Sequence, residues 1–437
     1  MTEHSWRARW PIEQRRVTLL EQFEAFQRQD VGVRRTALDE VLRASASPHV
    51  VVISGLRRAG KSTLLAQLAA TLGADAYYYV NFEDERFLGF AAEDANDLVG
   101  LLAEVFGERR VLVIDEVQNV AGWERFVRRF MDMGLKIYVT GSNASLLSRD
   151  LGTRLTGRYV PIELFPFSFT EFVRFRGYTL PDAGRQKTMD AARLQGYLAE
   201  YARLGGIPDV LKYPELPLAR TLYDDVLYRD IVARHRIAEV RALKELAYTL
   251  MSNPSGLVSF NKLKEQLQLG SVNTVKSYME FLESSWLLFT VNVYDFSVKR
   301  QQVAPKKTFA IDTGLAQAVG FRFSPNTGKI LENLVFLALR RRSSGIYYIA
   351  SRGSYEVDFY LPEGRELIQV AQSIELPATR EREVRALADA MHDLGVAHGL
   401  ILTDRDAEPI EVDSGVIEVR AVADWLLGAD RGLSREA

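Results

Sequence analysis

The stretch "VVVISGLRRAGKST", residues 50–63, constrains the fold more than any other part of the chain. An apolar strand runs into a turn bracketed by glycines, and a helix-forming run, "STLLAQLAATL", leaves it. Gly55 to Thr63 satisfy G-x-x-x-x-G-K-[ST], a loop whose backbone N–H groups face phosphate oxygens at the N-terminus of a helix. In that frame Gly55, Arg57, Arg58, Ala59, Gly60 and Thr63 line the phosphates, and Lys61 reaches the β and γ groups. The Ser62 hydroxyl serves Mg2+.

The surrounding pattern fits such a loop. "HVVVIS", "AYYYVNF", "RVLVIDE", "KIYVTGS" and "YVPIEL" are short apolar runs separated by helical stretches. Strands that apolar are buried on both faces, which implies an α/β core at 48–168 built on a parallel sheet. "VLVIDE" ends in Asp115 and Glu116, two acids at the carboxyl end of a buried strand. Beside a phosphate loop, Asp115 suits the Mg2+ shell and Glu116 suits polarising the attacking water.

Around this core, residues 1–47 read as a charged helical lead-in with apolar Leu19, Leu20, Phe23 and Phe26 at helical spacing. Residues 169–225 read as a helical lid broken by "GGIP". Residues 226–325 give three helices and then two strand-like runs, the order of a winged helix. Residues 326–437 form a second α/β unit.

Composition removes several functions. With no cysteine, disulfides, thiolate metal sites and a cysteine nucleophile are excluded, and the five histidines lack zinc-ligand spacing. A net charge of −2 argues against a globally basic nucleic-acid binder. No apolar run is long enough for a membrane span and the charged start lacks a signal-peptide core, so a cytoplasmic protein is expected.

The run "GLRRAGKST … YVNFEDER … LVIDEVQNVAGWERF … IYVTGSNASLL … LTGRYVPIELFPFSFTEF" resembles the prokaryotic AAA-type ATPases that carry a C-terminal domain of unknown function. The downstream fragments "GGIPDVL", "LYRDIVAR", "LENLVF" and "EVDFYL" extend the resemblance over nearly all of the chain after residue 50. It implies ATP as the nucleotide. It also implies that Asn143, with Ser142 as alternative, senses the γ-phosphate, and that Arg158 or Arg154 is an arginine finger acting in a neighbouring subunit, so the active form is a homo-oligomer. Asn81 would hold Glu116 inactive until a partner binds, or simply cap a turn.

Two downstream modules bear on what the ATP drives. The third helix of the winged-helix segment carries Asn273, Thr274, Lys276 and Ser277, and its wing carries Lys299, Arg300, Lys306 and Lys307. That set suits DNA phosphates, although Glu280 and Glu283 offset it and such modules also bind proteins. The last segment resembles a restriction-endonuclease fold, with Glu332 and Asp358 retained as acids. Gln369 and Ala371 stand where a second metal-binding carboxylate and the lysine belong, and Glu356 lies on the face of Asp358. An amide is a poor metal ligand and alanine transfers no proton, so DNA cleavage is not expected.

Overall fold

The five apolar runs become five strands; in the first four nearly every side chain has a core to enter, and the last, at the sheet edge, buries Ile162 and Leu164. Residue alternation splits β1 (Val50–Gly55) between two cores: Val50 and Val52 pack with Phe126 and Phe130 on one face, Val51 and Ile53 with Leu64 and Leu65 on the other. Each such buried aliphatic side chain contributes roughly 1.5–3 kcal/mol. In this computed structural model, which describes residues 6–147, 155–179, 188–320, 327–351 and 355–432, contacts divide the chain into two units, Met1–Phe165 and Pro166–Ala437.

In the first unit β1, β2 (Tyr77–Asn81), β3 (Val111–Asp115), β4 (Lys136–Gly141) and β5 (Tyr159–Leu164) form one sheet of order β2-β3-β4-β1-β5, with every pair parallel. β4 separates β1 from β3, so the chain reverses its winding there and the carboxyl ends of β1 and β3 flank a crevice. The segment expected as a separate lead-in belongs to this unit. Its Ile12–Gln27 helix lays Phe23 and Phe26 against Tyr77 and Tyr79, with the Phe26 and Tyr79 rings stacked at 3.8 Å.

In the second unit a nine-stranded sheet runs β13-β14-β12-β11-β10-β9-β7-β8-β6. β6 (Gly256–Val258), β8 (Lys306–Ala310) and β7 (Leu288–Val293) pair antiparallel beside the helices Val240–Met251, Phe260–Gln266 and Val272–Ser284. β7 then pairs in parallel with β9 (Tyr347–Ala350), which leads to β10 (Glu356–Leu361), β11 (Glu366–Val370), β12 (His398–Thr403), β13 (Ala407–Val412) and β14 (Gly415–Ala421). The sheet therefore continues across the boundary expected at 325. One core spans that boundary too: Phe309 of β8 stacks on Phe336 of the Thr327–Arg340 helix, ring centres 4.1 Å apart.

The "GGIP" break has a local cause within this unit. Asp312 caps the Thr313–Val319 helix through the Leu315 amide and also accepts from Gly206 N at 2.6 Å. A Cβ on Gly206 would lie 2.3 Å from the carbonyl oxygen of Phe167. Burial pushes the Asp312 carboxyl up to about 6 despite its amide donors.

Candidate functional site

The loop after β1 turns through two left-handed residues, Gly60 at φ 95°, which glycine adopts freely, and Arg58 at φ 63°. Gly55 is required by proximity, since a Cβ there would sit 2.1 Å from the carbonyl oxygen of Leu164 in β5. The Lys61–Leu72 helix starts directly after Gly60, so its first N–H groups have no intrahelical partners and point toward the crevice. Lys61 curls into the loop, only 5% exposed, with Nζ donating to Gly55 O at 3.3 Å and Leu56 O at 3.4 Å. The same ammonium lies 3.5 Å from Glu116 Oε1.

Asp115 ends β3 fully buried. Its Oδ2 accepts from Ser62 Oγ at 2.6 Å and lies 3.4 Å from the Tyr79 hydroxyl, and its Oδ1 accepts from Thr140 Oγ1. Burial pushes the Asp115 carboxyl above its ordinary range, the Glu116 charge adds to that, and Ser62, Thr140 and Lys61 oppose it. Burial acts on Glu116 in the same sense, but Lys61, then Gln118 and Arg57, outweigh it and hold this carboxyl below its ordinary value. Glu116 has φ 51°, and its N–H donates to Thr140 Oγ1 at 3.0 Å. A non-glycine residue in that region costs on the order of 1 kcal/mol and concentrates at functional sites.

The other expected residues divide. Ser142 and Asn143 are buried just beyond β4, where Asn143 O accepts from Ser54 Oγ at 2.7 Å. Arg57 pairs with Glu83 at 3.3 Å and the Ala59 carbonyl accepts from Arg35. Thr63 Oγ1 faces Gln29 Nε2 at 3.5 Å, so Ser62 is the hydroxyl that meets Asp115. Asn81 caps a turn by accepting from Glu83 N at 2.8 Å; the amide on Glu116 is that of Gln118. Arg158 is tied to Asp132 at 2.8 Å on the surface of its own unit. Arg154 lies outside the described residues.

Sequence reasoning missed three contributors. Gln118 sits two residues after Glu116 and Thr140 three before Asn143, and a polar threonine ending an apolar strand was the available signal. Arg35 gave none: its buried guanidinium donates to Ala59 O and Phe165 O, both at 2.6 Å.

A second cluster lies in the other unit. Lys307 of β8, expected on a DNA-facing wing, is 3% exposed and its Nζ meets Glu332 Oε1 at 2.9 Å, Asp358 Oδ1 at 2.8 Å and Glu356 Oε1 at 2.9 Å. The reason is alternation along β8, which sends Lys306 and Lys307 to opposite faces. The three charges raise the Lys307 pKa against the opposing effect of burial, while burial and Asp358 raise that of Glu332. Gln369 joins the acids as an amide bridge, accepting from Asp358 N and donating to Glu383 Oε2 at 2.7 Å. Among the described residues no group of three or more His, Cys, Asp or Glu forms a metal site. Two more of the cations expected on a wing are engaged locally, Arg300, which lies on a short helix Val298–Val303, with Asp295 at 2.5 Å and Lys306 with Asn292. Glu283 is turned inward to Thr290, which leaves Asn273, Lys276, Ser277 and Glu280 exposed on the Val272–Ser284 helix.

A parallel sheet whose first strand feeds a glycine loop and helix, with an acid pair on an adjacent strand end, defines an AAA-type P-loop domain, and residues 47–173 match the family described as an AAA domain. Residues 195–326 match a domain of unknown function, DUF8612. The chain belongs to the same family as an uncharacterized protein of Methanocaldococcus jannaschii, 33% identical over 86% of this chain and 87% of the relative. An uncharacterized protein of Haemophilus influenzae is 31% identical over 90% and 98% of the two chains. Among solved structures, the Aeropyrum pernix ORC1 protein in complex with DNA covers 68% of this chain and 91% of its own at 16% identity, TM-score 0.29. A signal transduction ATPase with numerous domains from Pyrococcus horikoshii covers 72% of this chain and 46% of its own at 13% identity, TM-score 0.26. Scores that low carry no functional argument. No helix among the described residues is long and apolar enough to cross a membrane.

Proposed function

We propose that this chain is a Mg2+-dependent ATPase that works as a homo-oligomer and couples ATP hydrolysis to binding, moving along or remodelling DNA. One observation carries the reading: the Ser62 hydroxyl and Asp115 carboxylate lie 2.6 Å apart beside the Lys61 ammonium and Glu116. A hydroxyl and a carboxylate oxygen are hard donors that suit Mg2+, which when bound neutralises charge on the phosphate oxygens. Backbone amides of Gly55 to Thr63 would bind the phosphates, with Lys61 swinging from its loop carbonyls onto the β and γ groups. Asn143 would touch the γ-phosphate, and Glu116 would orient and polarise the attacking water.

The remaining assignments belong to the same proposal. Residues 226–325 are read as a winged helix whose DNA face is Asn273, Lys276 and Ser277 with exposed Lys299. Residues 326–437 are read as a nuclease-like scaffold that no longer cuts, supported by Gln369, Ala371 and a lysine held among the acids. The ATPase core is assigned to 48–168 and a helical lid to 169–225.

A second reading, a nucleotide-gated switch with little hydrolysis, is favoured by the Asp132 contact that holds Arg158 within its own unit. Arg158→Ala separates the two. An arginine finger contributes about 10³–10⁵ in rate, so the motor loses nearly all turnover, whereas the switch keeps nucleotide-dependent binding and its slow rate. Wild-type turnover that does not rise with protein concentration removes the shared-site oligomer.

A further inference from the structure

We propose that Gln118 is the positioning residue for Glu116, an assignment that rests on the ATPase reading above. Glu116 presents two carboxylate oxygens, and each has one partner: Oε1 is 3.5 Å from Lys61 Nζ, and Oε2 accepts from Gln118 Nε2. The left-handed turn at Glu116 leads straight into the Val117–Asn119 turn of 3-10 helix, which brings the side chain two residues on back over the carboxylate. The same Nε2 is 3.5 Å from Ser142 Oγ, next to Asn143.

The amide has one orientation available. Turning it over would set Gln118 Oε1 against the Glu116 carboxylate, oxygen to oxygen, so Nε2 faces the acid and Oε1 is buried with no partner among the described residues. An unpaired buried carbonyl destabilises a fold, and such a departure marks a position retained for another purpose. Room for it is made by Gly141: a Cβ there would lie 2.3 Å from Gln118 Oε1. The glycine of "TGSN" and the glutamine of "DEVQ" therefore interlock.

The consequence follows from Lys61. Phosphates draw the ammonium away from Glu116 Oε1, and that oxygen becomes available to water. Gln118 keeps hold of Oε2, so the carboxylate stays aimed at the crevice instead of rotating, and the Ser142 contact ties that aim to the sensor end of β4.

The test is steady-state ATP hydrolysis by the full chain. Gln118→Met keeps the bulk and removes the donor; Gln118→Asn keeps an amide too short to reach, and carries the test if the first variant does not fold. Both lower kcat at least about tenfold while KM and the ATP dissociation constant stay within about twofold, because the Gln118 amide bonds Glu116 and Ser142 and none of the loop Gly55 to Thr63. In a Glu116→Gln background the same changes cost nothing more. A packing role predicts the opposite: further loss in that background and weaker ATP binding. Turnover within twofold of wild type in either folded variant overturns the assignment and leaves the ATPase reading intact, whereas a wild type without turnover overturns both.

Discussion

Lys307→Met is the sharpest probe of the second unit. The side chain is 3% exposed and faces Glu332 and Asp358, each 11% exposed, and Glu356, which is 45% exposed. Glu356 is wet enough that its pairing contributes under about 1 kcal/mol. The other two carboxylates are left buried against each other, and breaking a buried pair by deleting one partner costs about 3–5 kcal/mol. The expected loss at pH 9 is therefore about 3–5 kcal/mol, read from urea unfolding followed at the buried Trp286. It shrinks as the pH falls below about 8. Burial and Asp358 raise the Glu332 pKa from 4.5 to about 8 even beside Lys307, and removing the lysine raises it further, so the folded variant binds this proton more tightly than the wild type and lowering the pH relieves the unpaired charge. Adding Glu332→Gln and Asp358→Asn to the variant recovers most of the loss. A Lys307→Met penalty below about 1 kcal/mol, or one that grows on acidification, refutes the reasoning.

Asp312 has a raised folded pKa of about 6 against an ordinary 3.8, so its carboxyl opposes folding above pH 6 and ceases to below about pH 4. Asp312→Asn consequently gains on wild type by up to about 3 kcal/mol as pH rises from 4 to 7, visible in urea midpoints; parallel curves count against it. Arg35→Met leaves the carbonyls of Ala59 and Phe165 without their donor at a cost of about 1–3 kcal/mol each, and it loosens the phosphate loop. A lower melting temperature with weaker ATP binding is the expected pair of results, and weaker binding at an unchanged melting temperature contradicts it. Gly55→Ala drives a Cβ into the Leu164 carbonyl and destabilises the first unit, measured as a fall in its melting temperature.

The P-loop core was legible because its signals are local. A strand, a glycine turn with its lysine and serine, and an acid pair at a strand end are each set by a few consecutive residues, and the expected acids and hydroxyl do converge. What stayed hidden depends on pairing over long distances. Whether Lys306 or Lys307 turns inward is decided by the pairing of β8 with β7, Lys307 opposite Val291, and Glu332 and Asp358 come to it from a helix and a strand 25 and 51 residues further on. Arg35 was equally opaque, since nothing near residue 35 announces carbonyl acceptors at 59 and 165. Gln118 was missed for a different reason: a glutamine after two acids reads as a turn residue until the left-handed backbone at Glu116 folds it back. The position of the expected boundary at 325 within one sheet was hidden by pairing over long distances, since strand runs separated by helices in the sequence are joined in space where β7 pairs with β9.

The central claim is that Gly55 to Thr63 hold a triphosphate against Asp115 and Glu116. Calorimetric titration of ATP with Mg2+ into wild type and Lys61→Ala, with phosphate release measured on the same samples, tests it most directly. The account predicts binding and turnover in the wild type, with both lost or reduced at least about a hundredfold in the variant. Equal heats and equal phosphate release from the two proteins would contradict it.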